Sequence, residues 1–120
     1  MEVRNYRDLI AWQKAHQLVK EIYRVTKGFP HEENFGLVSQ LRRASVSVAS
    51  NIVEGFGRRG IKESLHFYSQ SHASLKEVDY QCFLSFELGY ISHKDHELLE
   101  SLNIETSKLL LGWIKGHRTN

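Results

Sequence analysis

At 120 residues, with 41% hydrophobic and 25% charged side chains, the chain has the composition of one globular domain with enough material for a core, which excludes intrinsic disorder. No apolar run approaches the ~18 residues needed to cross a bilayer, so no membrane segment is expected. The formal charge of +2 demands no polyanionic partner, and Cys82, the lone cysteine, excludes an intrachain disulfide.

One proline and eight glycines leave room for long helices. The opening MEVRNYRDLI lacks the cationic-then-apolar profile of a secretory signal, and a cytoplasmic location is the expectation. Charge is uneven along the chain. Residues 1–30 hold Arg4, Arg7, Lys14, Lys20, Arg24 and Lys27 against Glu2, Asp8 and Glu21, whereas residues 61–90 are mildly acidic.

The first periodic segment runs from about Arg7 to Lys27. Leu9, Trp12, His16, Val19, Tyr23 and Thr26 keep three-four spacing, and so do Ala15, Leu18, Ile22 and Val25. Two adjacent seams make an apolar arc wider than the ~100° stripe of one core contact. Gly28 is expected to take a left-handed cap, Phe29 to fold back on the last turn, and Pro30 to stop the helix.

The second segment spans about Glu33 to Phe56, roughly 35 Å at ~1.5 Å per residue. Leu37, Leu41, Ala44, Val48 and Ile52 form its core seam, with Val38, Val46, Ala49, Val53 and Phe56 alongside. One bundle core does not cover this much apolar surface, and the surplus predicts self-association. A polar band of Gln40, Arg43, Ser47, Asn51 and Glu54 runs opposite. It faces either a subunit interface or solvent, and its small serines favour the interface.

The glycine-rich stretch Gly55–Gly60 ends this helix, and a third runs from about Ile61 to Leu88 with Leu65, Tyr68, Leu75, Val78, Cys82, Phe83 and Phe86 on one face. Gly89 supplies a second glycine cap, and Ser92 with Asp95 nearly matches a capping box. The fourth helix, about His93 to Lys115, sets Leu98, Leu102, Leu109 and Trp113 on one seam beside Leu99, Thr106 and Leu110, and residues 117–120 are expected to fray. Nothing alternates with period two. Short connections between long helices make neighbours antiparallel, so the fold class is all-α, an antiparallel up-and-down four-helix bundle over residues 1–120.

Gly55-Phe56-Gly57-Arg58-Arg59-Gly60 matches the dinucleotide fingerprint GxGxxG in letters only. That fingerprint follows a strand, and here a helix precedes it, so no cofactor is expected. The same stretch sets Arg58, Arg59 and Lys62 around the start of the third helix, where free amide groups and the helix dipole favour anions. With Arg42 and Arg43 they form the candidate nucleic-acid-binding set, able to contact phosphates of RNA or DNA without reading sequence. Against this stands ordinary surface charge, paired with Glu54 and Glu77. Glu63 and His66 make one Glu-x-x-His step where di-iron bundles use two, and His93, His96, Glu97 and Glu100 sit among solvated charges, so no metal site is expected. His16 and His72, on apolar faces, are expected to be hydrogen-bonded interior or interface residues. Arg59 and His66 resemble the Arg-x(4–6)-His pattern of HEPN ribonucleases, though Gly60 replaces the usual polar residue after the arginine.

Three stretches together resemble one family. They are YRDLIAWQKAH from Tyr6 to His16, FGLVSQLRRASVSVASNIVEGFGR from Phe35 to Arg58, and SLKE from Ser74 to Glu77 with LGYI from Leu88 to Ile91. The family is the S23-type four-helix-bundle proteins encoded in intervening sequences of bacterial 23S ribosomal RNA genes. Where members often carry proline in the second helix this chain has Ala49, which implies a straighter helix. The resemblance implies a homopentameric ring without catalytic residues. It also implies a more distant similarity to the accessory variability protein of diversity-generating retroelements, which engages nucleic acid and a reverse transcriptase. Together these readings point to a non-enzymatic homo-oligomer that binds nucleic acid with little sequence preference. A protein-interaction scaffold without nucleic acid and an HEPN-like ribonuclease are the alternatives.

Overall fold

The computed structural model describes residues 4–118, the side chain of residue 118 excepted. Helix α1 (Ile10–Thr26) starts three residues later than its periodicity predicts. The Asn5 side chain accepts the Arg7 N–H at 2.9 Å and closes a 3-10 turn over Tyr6–Asp8, after which Leu9 is extended and buried. Of the two predicted seams, the one carrying Ala15, Leu18, Ile22 and Val25 is fully in the core. In the other, Trp12 and Val19 are half-buried while His16 and Tyr23 are exposed. His16 is thus not interior; its ring stacks on Trp12, with centroids 4.8 Å apart. Gly28 does not take the left-handed conformation either. Among the described residues only Gly89 has a positive φ, +82°. Phe29 is buried, and the partner of its ring is Tyr90, beyond the third helix, with centroids 5.4 Å apart.

Helix α2 (Leu37–Phe56) also begins late, because Pro30 leads a separate 3-10 turn, His31–Glu33. Glu33 serves the helix from outside: one carboxylate oxygen accepts the Leu37 N–H at 3.3 Å and the other accepts the Tyr90 hydroxyl at 3.1 Å. Leu41, Ala44, Val48 and Ile52 are buried as their spacing predicts, while Leu37 is half-buried. Helix α3 (Ile61–Glu87) buries Tyr68, Leu75, Val78 and Cys82, and with them Ser64, Ser71, Ser74 and Ser85. Phe83, assigned to the core face, is instead exposed.

In α4 (His93–Arg118) Ser92 caps the Asp95 N–H at 3.1 Å, as predicted. The core seam is rotated from the expected one, with Leu99, Leu102, Asn103, Thr106, Leu110 and Ile114 buried, Leu98 exposed, and Leu109 and Trp113 half-buried. Asn103 turns inward because it donates to the Leu75 carbonyl at 2.9 Å, so this polar side chain is satisfied inside the bundle. His117 is helical rather than frayed: Nδ1 lies 2.8 Å from the Trp113 carbonyl and the ring meets Tyr68 edge-on. Residues 119–120 of the expected frayed tail lie outside the described ones.

Both α1 and α3 pack on α2 and α4, and the backbones of the diagonal pairs stay apart, which is the topology of an up-and-down bundle. The α2–α3 contact is the most extensive. Small residues allow it: Ser47 and Ser74 hydroxyls bond across it at 2.8 Å, Ser71 donates to the Val48 carbonyl at 2.7 Å, and Gly55 lies against the Tyr68 ring. Charged side chains tie α1 to α4, where Arg24 donates to Asp95 at 2.8 Å and Lys14 Nζ is 3.2 Å from Glu105. The Arg24 guanidinium holds the Asp95 carboxyl below its usual range. The bundle measures 46 × 25 × 20 Å.

Candidate nucleic-acid interface

The five predicted cations fall into two groups. Arg58 and Arg59 lie on the α2–α3 connection and Lys62 in the first turn of α3. Arg42 and Arg43 sit sixteen residues earlier on α2, about 24 Å away at ~1.5 Å per residue. One phosphate cannot bridge that distance, so the set is not a single site.

The two groups also differ in how they are held. Arg42 is committed within the bundle: Nε donates to Thr26 Oγ1 at 2.9 Å, Nη2 reaches the Tyr23 carbonyl at 3.4 Å, and the guanidinium lies 4.5 Å over the Tyr23 ring. Arg43 sits 3.7 Å from Glu77 of α3 but remains exposed. Arg58 pairs with Glu54 one turn back at 2.6 Å and covers the Phe67 ring at 4.6 Å. The expected competition from Glu54 and Glu77 is therefore real for two of the five. Arg59 and Lys62 are exposed and make no ion pair among the described residues.

Local backbone geometry keeps this end open. Gly60 is extended (φ −93°, ψ 142°) and caps α3 without a side-chain hydrogen bond, so no capping side chain occupies the first-turn amides. A recess of about 440 Å³ beside them is lined by Arg58, Lys62, Glu63, His66 and Phe67. His66 thus shares a recess with Arg58 and Lys62, while Arg59, its HEPN-type companion, is not in that lining. Gly55, the first glycine of the GxGxxG letters, lies inside α2 and faces Tyr68.

In the polar band of α2, Gln40, Arg43 and Glu54 are exposed, as the solvent-facing alternative has it, while Ser47 and Asn51 are half-buried along the edge of the α2–α3 contact within one chain. Gln40 accepts from Gln81 at 3.2 Å, and Asn51 donates to the Ser47 carbonyl and hydroxyl. Among the described residues no three His, Cys, Asp or Glu side chains converge as a metal site. His93 lies 3.5 Å from Glu97, and His96 stacks on Phe86 instead of turning toward them. His72, half-buried, meets Ser107 at 3.2 Å. Burial, with Asp79 adding to it, pushes the Cys82 thiol up to about 12. No helix among the described residues is long and apolar enough to cross a membrane.

Sequence reasoning did not single out Phe35, which is 99% exposed, as a surface feature. Nor is the surplus apolar surface confined to α1 and α2. Tyr80, Phe83, Leu98 and Ile104 are exposed on α3 and α4. For Leu98 and Ile104 the available signal was their position on the α4 wheel, one step outside the seam that Asn103 and Thr106 complete.

No curated protein matches the chain. Among solved structures it is similar to a protein of unknown function from the S23 ribosomal protein family of Bacteroides thetaiotaomicron, at 22% identity and TM-score 0.82, with 91% of this chain and 98% of that one covered. That likeness establishes the shared bundle fold. The sequence model of the 23S rRNA-intervening sequence proteins matches residues 7–112, nearly the whole bundle from the turn before α1 to the last turns of α4, and the chain belongs to that family.

Proposed function

We propose that this protein is a non-enzymatic homo-oligomer, five copies in a ring, that holds RNA or DNA by its phosphates with little sequence preference. Arg58, Arg59 and Lys62 are the contact residues. The observation that carries this reading is that two exposed cations, Arg59 and Lys62, flank an α3 N-terminus whose cap leaves its amides open. Arg42 and Arg43, engaged on the bundle's side, drop to a secondary role.

Glu54 and Glu63 stand among these three cations, so the segment from 54 to 63 carries a net charge of only +1 (three cations less two carboxylates). Each copy is then a weak site, and affinity comes from several copies engaging one strand. Exposed apolar side chains on all four helices supply surface for association. Reversing the charge of Arg58 and Arg59 weakens binding to a labelled single-stranded RNA and lowers its salt dependence. Unchanged affinity and slope would remove these residues from the proposal.

A further inference from the structure

We propose that Arg58, backed by the Phe67 ring, is a stacking platform for one unpaired base per copy, which makes the ligand class single-stranded nucleic acid. This rests on the phosphate-binding reading above and names the kind of strand it takes.

Arg58 is held in a way that a simple phosphate contact does not need. Its Nη2 donates to Glu54 at 2.6 Å, and the guanidinium carbon lies 4.6 Å from the Phe67 ring centroid. Glu54 belongs to the last turns of α2 and Phe67 to the second turn of α3, so two helices fix one side chain. The carboxylate offsets much of the charge that a phosphate would feel. It leaves the stacking capacity of the planar guanidinium untouched. Phe67 occupies one side of that group, and because Arg58 is exposed the other side is open. Glu54 engages Nη2, so the remaining N–H groups of Arg58 still serve a phosphate.

The recess beside this platform has the make-up of a base site. Its volume of about 440 Å³ falls in the ~300–1,000 Å³ range of small-ligand sites, which is more than a surface phosphate contact requires. Phe67 is half-buried, and the exposed His66 ring meets it edge-on with centroids 5.3 Å apart. Glu63 lines the same recess. A carboxylate repels phosphate but accepts N–H groups, which the amino-bearing edges of adenine, guanine and cytosine present. Lys62 on the lining and Arg59 outside it are left for the phosphates. A base within the recess and phosphates on both Lys62 and Arg59 span more than one nucleotide, which favours a strand over a mononucleotide.

In a duplex each base is stacked on both faces and paired along its edge, so neither Arg58 nor Glu63 finds a partner there. An unpaired base offers both. Every base has a π-face, so stacking of this kind adds affinity without strong sequence preference.

Fluorescence anisotropy at 50 mM salt tests this on the full chain, with circular dichroism confirming that each variant folds. The probes are a 20-nucleotide deoxyadenosine strand and an abasic strand of equal length, which has the same phosphates and no bases. The wild type is expected to bind the first at least about fivefold more tightly. Arg58→Lys keeps the charge and removes the plane, and is expected to bring the ratio of the two affinities close to one. Phe67→Leu is expected to lower that ratio as well. Equal affinity of the wild type for both strands, or a ratio that Arg58→Lys leaves unchanged, overturns the platform and leaves the phosphate reading standing. Binding of neither strand overturns both. Complete displacement of the strand by 1 mM adenosine monophosphate overturns the assignment to a strand and makes the site a mononucleotide's.

Discussion

Gly55 on α2 lies so close to Tyr68 on α3 that a Cβ at Gly55 would come within 2.5 Å of Tyr68 Cε1. Tyr68 is 1% exposed and its ring meets Trp113 and His117 of α4, so it has nowhere to retreat. The first glycine of the fingerprint-like stretch is therefore a packing residue, and three helices depend on it at the end that presents Arg58, Arg59 and Lys62. Gly55→Ala should destabilise the fold by about 1–3 kcal/mol, as overpacked core sites do, measured by urea denaturation. Gly112→Ala is the contrast: its added methyl meets nothing within 4 Å and should stabilise α4 by roughly 0.5–1 kcal/mol.

The tie between Arg24 and Asp95 predicts a pH dependence. The hydrogen bond from Arg24 is the main cause that lowers the Asp95 carboxyl below its ordinary 3.8, so the folded state binds that proton less readily than the unfolded chain. The stabilisation is fully present above pH 3.8 and fades as the pH falls through the lower folded value. Arg24 is exposed and Asp95 only half-buried, so solvent screens the pair and it contributes only about 0.2–1 kcal/mol. Thermal melts should show Asp95→Asn less stable than wild type at pH 6–7, and the gap should close in acid. A gap that persists at pH 2 would mean that Asp95 acts through its cap region and not its charge.

Cys82 should be inert. With its thiol held up near 12 by burial, thiolate at pH 8 is scarce, and labelling by iodoacetamide should run at least about a hundredfold slower in the native protein than in 6 M guanidinium. Rapid labelling under native conditions would show that α3 opens far more often than its packing implies.

The long helices were legible in the sequence because period 3.6 repeats over many turns, as in Leu41, Ala44, Val48 and Ile52. Two kinds of feature were not. Helix starts at Ile10 and Leu37 depend on single 3-10 turns, set by the Asn5 side chain in one case and by Pro30 with Glu33 in the other, and three residues are too few to show a period. The inward faces of α3 and α4 use Ser71, Ser85, Asn103 and Thr106, which hydropathy reads as outward. Their hydroxyls and amide are satisfied by carbonyls, at 2.7 Å from Ser85 to Gln81 and from Thr106 to Leu102, so burial carries no unpaired polar cost. The periodicity does place Thr106 beside the α4 seam, and it is the omission of Asn103 from the apolar pattern that rotates the predicted seam toward Leu98. The candidate site was legible as a list of cations. That Arg42 and Arg43 stand apart from Arg58, Arg59 and Lys62 needed the helix between them.

The proposed phosphate contacts are tested most directly by titrating salt against binding of a fluorescent 20-nucleotide single-stranded RNA. Three phosphates neutralised per protomer predict a log–log slope near −2, so affinity falls about tenfold between 50 and 150 mM salt, and more steeply when several copies engage. Arg59→Glu with Lys62→Glu should flatten that slope and weaken binding at 50 mM. No binding by the wild type at 50 mM salt, or a slope that the two substitutions leave unchanged, would contradict the assignment of this end of the bundle to nucleic acid.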